Sequence, residues 1–326
     1  MTSAVPASLG EGYVRPGAQI ELSLESAKAY ARAEKASATR RAYASDFAAF
    51  SAWCERQEGS PLPLPAEPEI VAAYLASMAD GGLKVSTITR RAAAIAFVHK
   101  AKGCETVPTT HKIVRSTMQG IRRQVGMAVN AKAPATAKAI SAMLRRLPDT
   151  LAGKRDRALL LIGFGAALRR SELVALNVAD IERQPEGIIV KIRASKTDQE
   201  KRGHEVAIPR GSKLKPVEAL DDWLAAAGIR EGALFRAVNK GDRLQPDRLE
   251  DRAVARIVKK HAAWAKLDPS TFSGHSLRAG FVTSALENKA DVLAVMRVTR
   301  HTSVQTLQRY DRRARLFQDH AGKGFL

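Results

Sequence analysis

Gly274-His275-Ser276-Leu277-Arg278-Ala279-Gly280-Phe281 is the most informative stretch of this chain. His275 and Arg278 stand three positions apart, so a helix over this stretch would carry both side chains on one face. An imidazole beside a guanidinium could bind and titrate one phosphate group. By itself the pair decides little, because the chain is rich in arginine and a capping histidine beside a surface arginine would have the same spacing.

Four further residues extend this motif into an ordered set. Arg169 lies upstream, in Leu168-Arg169-Arg170-Ser171-Glu172-Leu173, and Lys196 lies in Ser195-Lys196-Thr197. Downstream come His301 and, nine residues later, Tyr310. Two arginines can hold a phosphate, a lysine and two histidines can move protons, and a tyrosine can attack phosphorus. The set therefore contains the groups needed to cut a phosphodiester without a metal.

Each of these residues also has an ordinary structural explanation. Arg169 and Arg170 could be an exposed pair at a helix end, which is the explanation we favour for Arg170. Lys196 could be a solvated lysine of a loop. Tyr310 falls in an apolar stripe, where it could be a core side chain, but its neighbours in sequence are charged and rich in arginine. A basic environment favours the phenolate form that a nucleophile needs.

Composition and charge indicate a helical protein with a polyanionic partner. The chain has 326 residues, enough for two domains, of which 45% are hydrophobic and only 5% aromatic. Its runs of alanine, leucine and arginine favour helix over sheet. A formal net charge of +20 predicts nucleic acid as the partner, because each lysine or arginine on a phosphate displaces a condensed counterion. The alternative is a protein that is merely basic.

Several classes of protein are disfavoured. Cys54 and Cys104 fit no metal-ligand spacing and are expected to be thiols in a reducing compartment. No apolar run reaches membrane-spanning length, and the first residues lack the pattern of a signal peptide. We therefore expect a protein of the cytoplasm or the nucleoid, with no membrane partner and no metal.

The hydrophobic pattern divides the chain into an N-terminal extension (1–36), a helical domain (37–126), a linker (127–136) and a second domain (137–326). The extension could hold a short amphipathic helix near residues 22–34. In the helical domain, aromatic residues recur at helical spacing at Tyr43, Phe47, Phe50 and Trp53. We predict a bundle of about four helices there. The linker consists of small residues without periodicity.

The second domain combines helices with a strong strand signal. Helices are predicted at 137–147, 153–168, from Ser171 onward, and at 215–226, 247–266, 276–288, 291–298 and 303–316. Apolar residues alternate with their neighbours at Ile188, Val190 and Ile192, and again at Val206 and Ile208. This alternation predicts a β-hairpin or small sheet, with Lys196 in or beside its turn.

Arginines of the helical domain are candidates for DNA contact. A serine or threonine of Ser86-Thr87-Ile88-Thr89 could cap a helix whose first turns carry Arg90 and Arg91, which suits a helix that meets a phosphate backbone or a groove. Arginines that simply face water explain this segment equally well. The candidate DNA-contact residues are Arg40, Arg41, Thr87, Arg90, Arg91, Arg122 and Arg123.

In this order, the motifs resemble those of the tyrosine recombinases, also called phage-type integrases. The likeness covers roughly residues 37 to 320 and is especially good from Gly274 to Phe281. It includes Thr299-Arg300-His301 with Tyr310 and, more loosely, Thr39-Arg40-Arg41-Ala42-Tyr43 and Ser86-Thr87-Ile88 in the helical domain. The chain departs from the family at Arg300, where glycine is usual. This arginine adds charge at a tight turn but removes no catalytic group, so we expect activity to survive.

The resemblance implies a mainly α fold with a small antiparallel β-sheet. It implies a helical, SAM-like core-binding domain and an α-rich catalytic domain, which together form a C-shaped clamp on DNA. Tyr310 would attack the scissile phosphate and form a 3′-phosphotyrosyl link, which frees a 5′-hydroxyl. The other implied roles are phosphate clamps for Arg169 and Arg278, general acid for Lys196, acid/base partner for His275, hydrogen-bond donor to the phosphate for His301 and supporting acidic residue for Glu172.

The same resemblance implies the partners of the reaction. A phosphotyrosyl link conserves the energy of the phosphodiester, so no cofactor, ATP or metal is required. The implied assembly is a homotetramer on two double-stranded DNA sites with inverted repeats, formed from free monomers or dimers. A short N-terminal extension indicates a simple system of the Xer or Cre type, encoded by a bacterium, a phage or a mobile element. Integration, excision, inversion and resolution all stay open.

Two other functions share parts of this pattern. A type IB topoisomerase uses the same chemistry, but the likeness to a core-binding domain favours a recombinase. A DNA-binding protein that does not cut is disfavoured because all six catalytic positions are filled. A covalent adduct on a nicked duplex would separate both enzymes from the binding protein, and strand exchange would separate the recombinase from the relaxing enzyme.

Overall fold

The computed structural model of the chain describes residues 20–21, 23–27, 30, 37–126, 132–193, 203–305 and 307. The chain divides into two compact units, residues 1–129 and 130–326. Residues 20–21, 23–27 and 30 are helical, at the place where the sequence predicts a short amphipathic helix. Among the described residues, no helix has both the length and the apolar character needed to span a membrane.

Over residues 37–126, the first unit is a bundle of four α-helices. They are α1 (Ser37–Cys54), α2 (Pro68–Asp80), α3 (Val85–Ala101) and α4 (Lys112–Val125), with a 3₁₀ turn at Pro108–Thr110. Each helix buries an apolar stripe in a shared core, which includes Phe50, Val71, Leu75, Ile88 and Val114. The predicted bundle is confirmed, because residues at helical spacing in the sequence bury one side of each helix.

The second unit packs further helices around a larger core. They are α5 (Ala137–Leu144), α6 (Leu151–Gly165), α7 (Arg170–Ala175), α8 (Pro216–Ala227), α9 (Asp251–Trp264), α10 (Ser276–Glu287) and α11 (Val292–Thr299). Their core includes Leu159, Ile162, Val190, Trp223 and Phe235. These positions agree with most of the predicted helices. Most of the predicted helix at 303–316 lies outside the described residues. Within the described part of this range, residues 304, 305 and 307 are helical.

A three-stranded antiparallel sheet runs β1 (Ile181–Gln184), β2 (Gly187–Ile192), β3 (His204–Pro209) in that order. Strands β2 and β3 are the predicted hairpin: Ile188 pairs with Ile208, and Val190 pairs with Val206. These four side chains are buried, whereas Ile189 and Ala207 between them are more exposed, so the two-residue period of the strands is seen in the burial of alternate residues. Lys196 belongs to the segment between β2 and β3 and lies outside the described residues.

The predicted helix at 247–266 is wrong at its start. Residues Leu244–Arg248 form strand β5, antiparallel to β4 (Arg236–Val238), and α9 begins only at Asp251. The residues of β4 and β5 are half-buried or exposed, so no alternation of buried apolar residues marks them as strands. Strand β1 is missed for the same reason, because its two last residues are exposed.

Two glycines allow helices α6 and α10 of the second unit to approach neighbouring segments closely. A β-carbon at Gly280 on α10 would lie 1.9 Å from the carbonyl oxygen of Ala135. A β-carbon at Gly163 on α6 would lie 2.8 Å from side-chain carbons of Leu173 and Leu277. A larger residue at Gly163 would therefore push α6 away from α7 and α10, and one at Gly280 would push α10 away from the segment before α5. The same three helices position the arginines of the candidate site.

Candidate active site

The turn between α6 and α7 holds the first arginine of the site. Ala167 takes a positive φ of 47° in this turn, and Arg169 follows as the N-cap of α7. The backbone N–H of Arg169 donates to Glu172 Oε2 (2.9 Å), and its Nη1 donates to Glu172 Oε1 (2.5 Å). An acidic residue at the third helical position commonly reaches back to the N-cap N–H. Here the same carboxylate also fixes the direction of the arginine side chain.

The second arginine reaches the same turn from α10. Arg278 is only 5% exposed, and its Nη1 donates to the carbonyl oxygen of Ala167 (2.9 Å). Arg169 and Arg278 are far apart in the sequence, yet both are anchored at the turn between α6 and α7. The structure therefore brings together the two predicted phosphate clamps.

A third arginine, Arg300, is buried in the same cluster. It ends α11 in a left-handed conformation (φ 57°, ψ 40°). Its Nη2 donates to Glu172 Oε2 (2.8 Å), and its Nη1 donates to the carbonyl oxygen of Val298 (3.2 Å). Glu172 therefore binds two arginine side chains. The sequence identifies Arg300 only as a departure from the family pattern, and nothing in the sequence indicates that its side chain points inward.

The contacts of Glu172 keep its carboxylate ionised. Burial acts to raise the pKa of Glu172, but the backbone N–H of Arg169 and the charges of Arg300 and Arg169 outweigh burial and lower that pKa from its ordinary value. Burial lowers the pKa of Arg300, and the charge of Glu172 opposes this shift. With Arg278, which binds the carbonyl oxygen of Ala167, three guanidinium groups are anchored at this turn, and the one carboxylate of Glu172 binds two of them. The excess of positive charge suits a phosphate ligand.

His301 has a tautomer that its neighbours determine. The hydroxyl of Thr299 donates to the carbonyl oxygen of Val295 (2.7 Å). The same hydroxyl oxygen must then accept the hydrogen bond that joins it to His301 Nδ1 (2.8 Å). The neutral ring therefore carries its proton on Nδ1 and a lone pair on Nε2. The sequence shows Thr299 only as part of the motif with His301, and the structure adds that its hydroxyl binds the ring.

The charge state of His301 follows from its surroundings. Burial and then the positive charges of Arg278, Arg169 and Arg300 lower its pKa to about 4. At neutral pH the imidazole is therefore uncharged and accepts hydrogen bonds at Nε2. The implied role of His301 as a donor to a phosphate requires the ring to take up a proton when DNA binds.

In the DNA-free protein, His301 is expected to titrate near pH 4. The neutral form of its ring is expected to carry the proton on Nδ1. Long-range ¹H–¹⁵N correlation spectra of ¹⁵N-histidine-labelled protein would measure both properties, with His301→Gln as the assignment variant. Thr299→Val keeps the side-chain volume but removes the acceptor, and should raise the share of the tautomer protonated at Nε2. A wild-type ring that titrates near 6.5 or carries its proton on Nε2 would contradict this assignment.

The remaining catalytic candidates differ in their placement. His275 is exposed at the N-terminus of α10, one helical turn from Arg278. The Ser276 hydroxyl supports this helix start by accepting from the backbone N–H of Ser273 (2.9 Å). Lys196 and Tyr310 lie outside the described residues. Arg170, the neighbour of Arg169, binds Asp251 of α9 (3.2 Å), which agrees with the structural role expected for it.

The candidate DNA-contact residues of the first unit fall into two groups. Arg90 donates from Nε and Nη2 to the two carboxylate oxygens of Asp46 (2.7 and 3.0 Å). Arg91 donates from Nη1 to the hydroxyl of Tyr74 (2.9 Å), and its side chain is only 25% exposed. These bonds give Arg90 and Arg91 a structural role in the bundle. Thr87 is half-buried. The remaining candidates are exposed, and they are Arg40, Arg41, Arg122 and Arg123.

Comparison with known proteins identifies the family. A model of the phage integrase family matches residues 134–315. Over 303 residues, the chain is 39% identical to an integrase/recombinase XerD homologue of Selenomonas ruminantium, an alignment that covers 91% of this chain and 88% of the relative. The chain belongs to the phage integrase family. It is therefore a tyrosine recombinase, an enzyme of site-specific DNA recombination.

Further relatives and solved structures agree with this membership. The recombinase is 30% identical over 296 residues to a tyrosine recombinase of Synechococcus elongatus, and the alignment covers 86% of each protein. Its fold is similar to that of a lambda integrase dimer bound to a COC′ core site, with a TM-score of 0.60, 17% identity and coverage of 93% of this chain and 82% of that chain. The XerH site-specific recombinase bound to palindromic difH substrate gives a TM-score of 0.55 at 14% identity. The alignment covers 79% of this chain and 72% of that chain. The predicted family and the mainly α fold with a small antiparallel sheet are confirmed.

Proposed function

We propose that this recombinase cuts and rejoins DNA strands through a covalent link to Tyr310. The phenolate oxygen of Tyr310 attacks the scissile phosphorus, and the bond from phosphorus to the 5′-oxygen breaks. The products are a 3′-phosphotyrosyl link and a free 5′-hydroxyl. One phosphodiester replaces another, so attack on the link by a second 5′-hydroxyl rejoins the strands without an external source of energy.

The cluster of Arg169, Arg278 and His301 carries this proposal. Guanidinium groups match the geometry of phosphate oxygens and can bind them in pairs. Arg169 and Arg278 are held in place by Glu172 and the carbonyl of Ala167, so they need little reorganisation when negative charge develops on the non-bridging oxygens. Both arginines act on His301 and lower its pKa, which puts the three groups within electrostatic reach of one another.

Lys196 and His275 are proposed to move the protons. An ammonium group on the segment between β2 and β3 can protonate the leaving 5′-oxygen, and Lys196 supplies it. His275, exposed at the start of α10, can accept the phenol proton of Tyr310. His301 then completes the phosphate site, and its Nε2 donates once the phosphate has raised the pKa of the ring.

The proposed substrate is double-stranded DNA with inverted-repeat half-sites, bound by a homotetramer that assembles from monomers or dimers. The net charge of +20 supports a polyanionic partner. Inverted repeats match the two-fold symmetry of paired protomers. Among the similar structures, the lambda integrase is a dimer on a core site and XerH is bound to a palindromic substrate. We place the enzyme in the cytoplasm, on the nucleoid, encoded by a bacterium, a phage or a mobile element.

We assign residues 37–126 to the core-binding domain, 127–136 to the linker, 137–326 to the catalytic domain and 1–36 to an extension. Contacts of the core-binding domain to the DNA backbone are assigned mainly to its exposed arginines, Arg40, Arg41, Arg122 and Arg123, and to Thr87. Arg90 and Arg91 mainly hold α3 in the bundle through Asp46 and Tyr74.

A covalent protein–DNA adduct tests the proposed function. DNA bound in cells is recovered by crosslinking and sequenced, and duplexes of that sequence are prepared with nicks at successive positions. Where the nick lies beside the cleavage position, the short strand with the 5′-hydroxyl diffuses away and the adduct accumulates. After digestion, mass spectrometry is expected to find the nucleotide on the peptide that contains Tyr310.

The outcomes separate the possible functions. The absence of an adduct on every nicked duplex, or an adduct on another residue, would overturn the proposal. With two copies of the site on one plasmid, exchange of strands between the sites is expected. Relaxation of supercoils without exchange would assign the enzyme to the topoisomerase type.

A further inference from the structure

Arg300 occupies a position that is unfavourable for an arginine. Its backbone is left-handed (φ 57°, ψ 40°), and its N–H closes α11 by donating to the carbonyl of Met296 (2.7 Å). Glycine adopts this conformation without strain, whereas a β-carbon is disfavoured there. The side chain is only 4% exposed, and burial opposes the charge of the guanidinium. The contacts of the guanidinium must offset both effects.

Those contacts join the two elements that hold Arg169. Nη2 of Arg300 donates to Glu172 Oε2 (2.8 Å), and the two Nη groups approach the carbonyl oxygens of Ala166 and Ala167 at 3.4 and 3.5 Å. Arg169 follows this turn in the chain and binds both carboxylate oxygens of Glu172. Arg300 is therefore bonded to the carboxylate and to the turn on which the direction of Arg169 depends.

The sharing of Glu172 has an electrostatic consequence for Arg169. A buried carboxylate with Arg169 as its only cationic partner would neutralise that guanidinium and draw it away from a phosphate. A second guanidinium on Oε2 divides the attraction between two cations. Arg169 then keeps more of its positive charge for another ligand. The carboxylate also remains in a single orientation, because both of its oxygens are bonded.

We propose that Arg300 is a positioning residue for strand cleavage, which shares Glu172 and holds the turn before Arg169 so that the Arg169 guanidinium is presented to the scissile phosphate. This inference rests on the proposed function, because it requires Arg169 to bind that phosphate. Arg300 acts through Glu172 and the turn. The Nη groups of Arg300 are engaged by Glu172, the turn and the carbonyl of Val298, so the proposal assigns it no contact of its own with the phosphate.

Arg300→Gly and Arg300→Lys test this role in the full-length protein on the nicked duplex. Glycine relieves the left-handed strain and removes the guanidinium, whereas lysine keeps a charge but loses the rigid fork whose two Nη groups reach Glu172 and the turn. Both variants are expected to form the adduct roughly 10- to 100-fold more slowly in single-turnover assays, because Arg169 loses its alignment. Arg297→Ala, an exposed arginine on the same helix, removes one positive charge and is the matched control. Its adduct rate should equal that of the wild type.

Coupling to Glu172 distinguishes positioning from general support of the fold. In a Glu172→Gln background, Arg300→Gly is expected to lower the rate of adduct formation further by less than about threefold, because both changes remove the same Arg300–Glu172 interaction. DNA affinity should fall no more in the Arg300 variants than in Arg297→Ala. If Arg300→Gly lowers the melting temperature strongly, Arg300→Lys, which retains the length and charge of the side chain, decides the outcome.

Two results would overturn this role for Arg300. One is adduct formation at the wild-type rate in both Arg300 variants. The other is an equal slowing by Arg300→Gly with and without Glu172→Gln, which would mean that Arg300 acts independently of Glu172. Failure of the proposed function looks different, because the wild-type protein itself would then form no adduct on any nicked duplex.

Discussion

Tyr310→Phe is expected to abolish the covalent adduct on the nicked duplex while DNA affinity stays unchanged. The substitution removes one oxygen atom, the atom that forms the bond to phosphorus. Loss of a nucleophile in covalent catalysis lowers the rate by at least about 10⁴-fold, so no adduct should appear on the timescale of the assay. Denaturing electrophoresis would measure the adduct, and a titration with intact duplex would measure affinity.

Tyr43→Phe is the matched control for this loss. Tyr43 is a tyrosine of α1 whose ring packs against Phe97 with centroids 5.3 Å apart, a contact that phenylalanine retains. This variant should form the adduct at the wild-type rate. An adduct that persists in Tyr310→Phe would assign the nucleophile to another residue, whereas a parallel loss of DNA binding would show that the phenol contributes to recognition rather than to attack.

The sequence reveals the groups that act on a substrate more readily than the groups that hold them. Arg169, Arg278 and His301 stand in motifs in which the chemistry requires one residue type at each position. The contribution of Arg300 depends on a left-handed turn that directs its side chain inward, and on Glu172, which lies 128 residues earlier in the chain. No local sequence pattern indicates that Arg300 and Glu172 are in contact. It becomes visible only when α7 and α11 are packed together.

The same distinction applies to the fold and to the arginines of the bundle. Strands β2 and β3 could be predicted because Val190 and Val206 face the core, whereas β5 has a mostly exposed surface and no alternation. Arg90 and Arg91 follow serine and threonine residues near the start of a helix, a pattern that also fits a DNA-contacting helix. Their ion pair and hydrogen bonds to α1 and α2 depend on tertiary packing, which directs them to Asp46 and Tyr74.

Arg278→Lys is expected to slow adduct formation by about 10²- to 10³-fold, the range found when one preorganised donor to a developing negative charge is lost. Lysine keeps the positive charge but loses the rigid planar fork, whose separate Nη groups can bond a phosphate oxygen and the carbonyl of Ala167 in fixed directions. DNA affinity should change little, because one phosphate contact among many contributes a small share of binding. Single-turnover rates and dissociation constants on the same duplex would measure the two effects.

Arg256→Lys supplies the comparison for Arg278→Lys, because Arg256 lies on α9 with a side chain that is 71% exposed. This change makes the same chemical substitution away from the turn between α6 and α7 and should leave the rate unaltered. The ratio of the two effects of Arg278→Lys then decides its role. A rate that falls far more than affinity means that the Arg278 fork stabilises charge that develops only during attack. A loss of affinity with an unchanged single-turnover rate would mean that Arg278 binds the ground-state phosphate as strongly as the transition state and contributes nothing further to the chemical step.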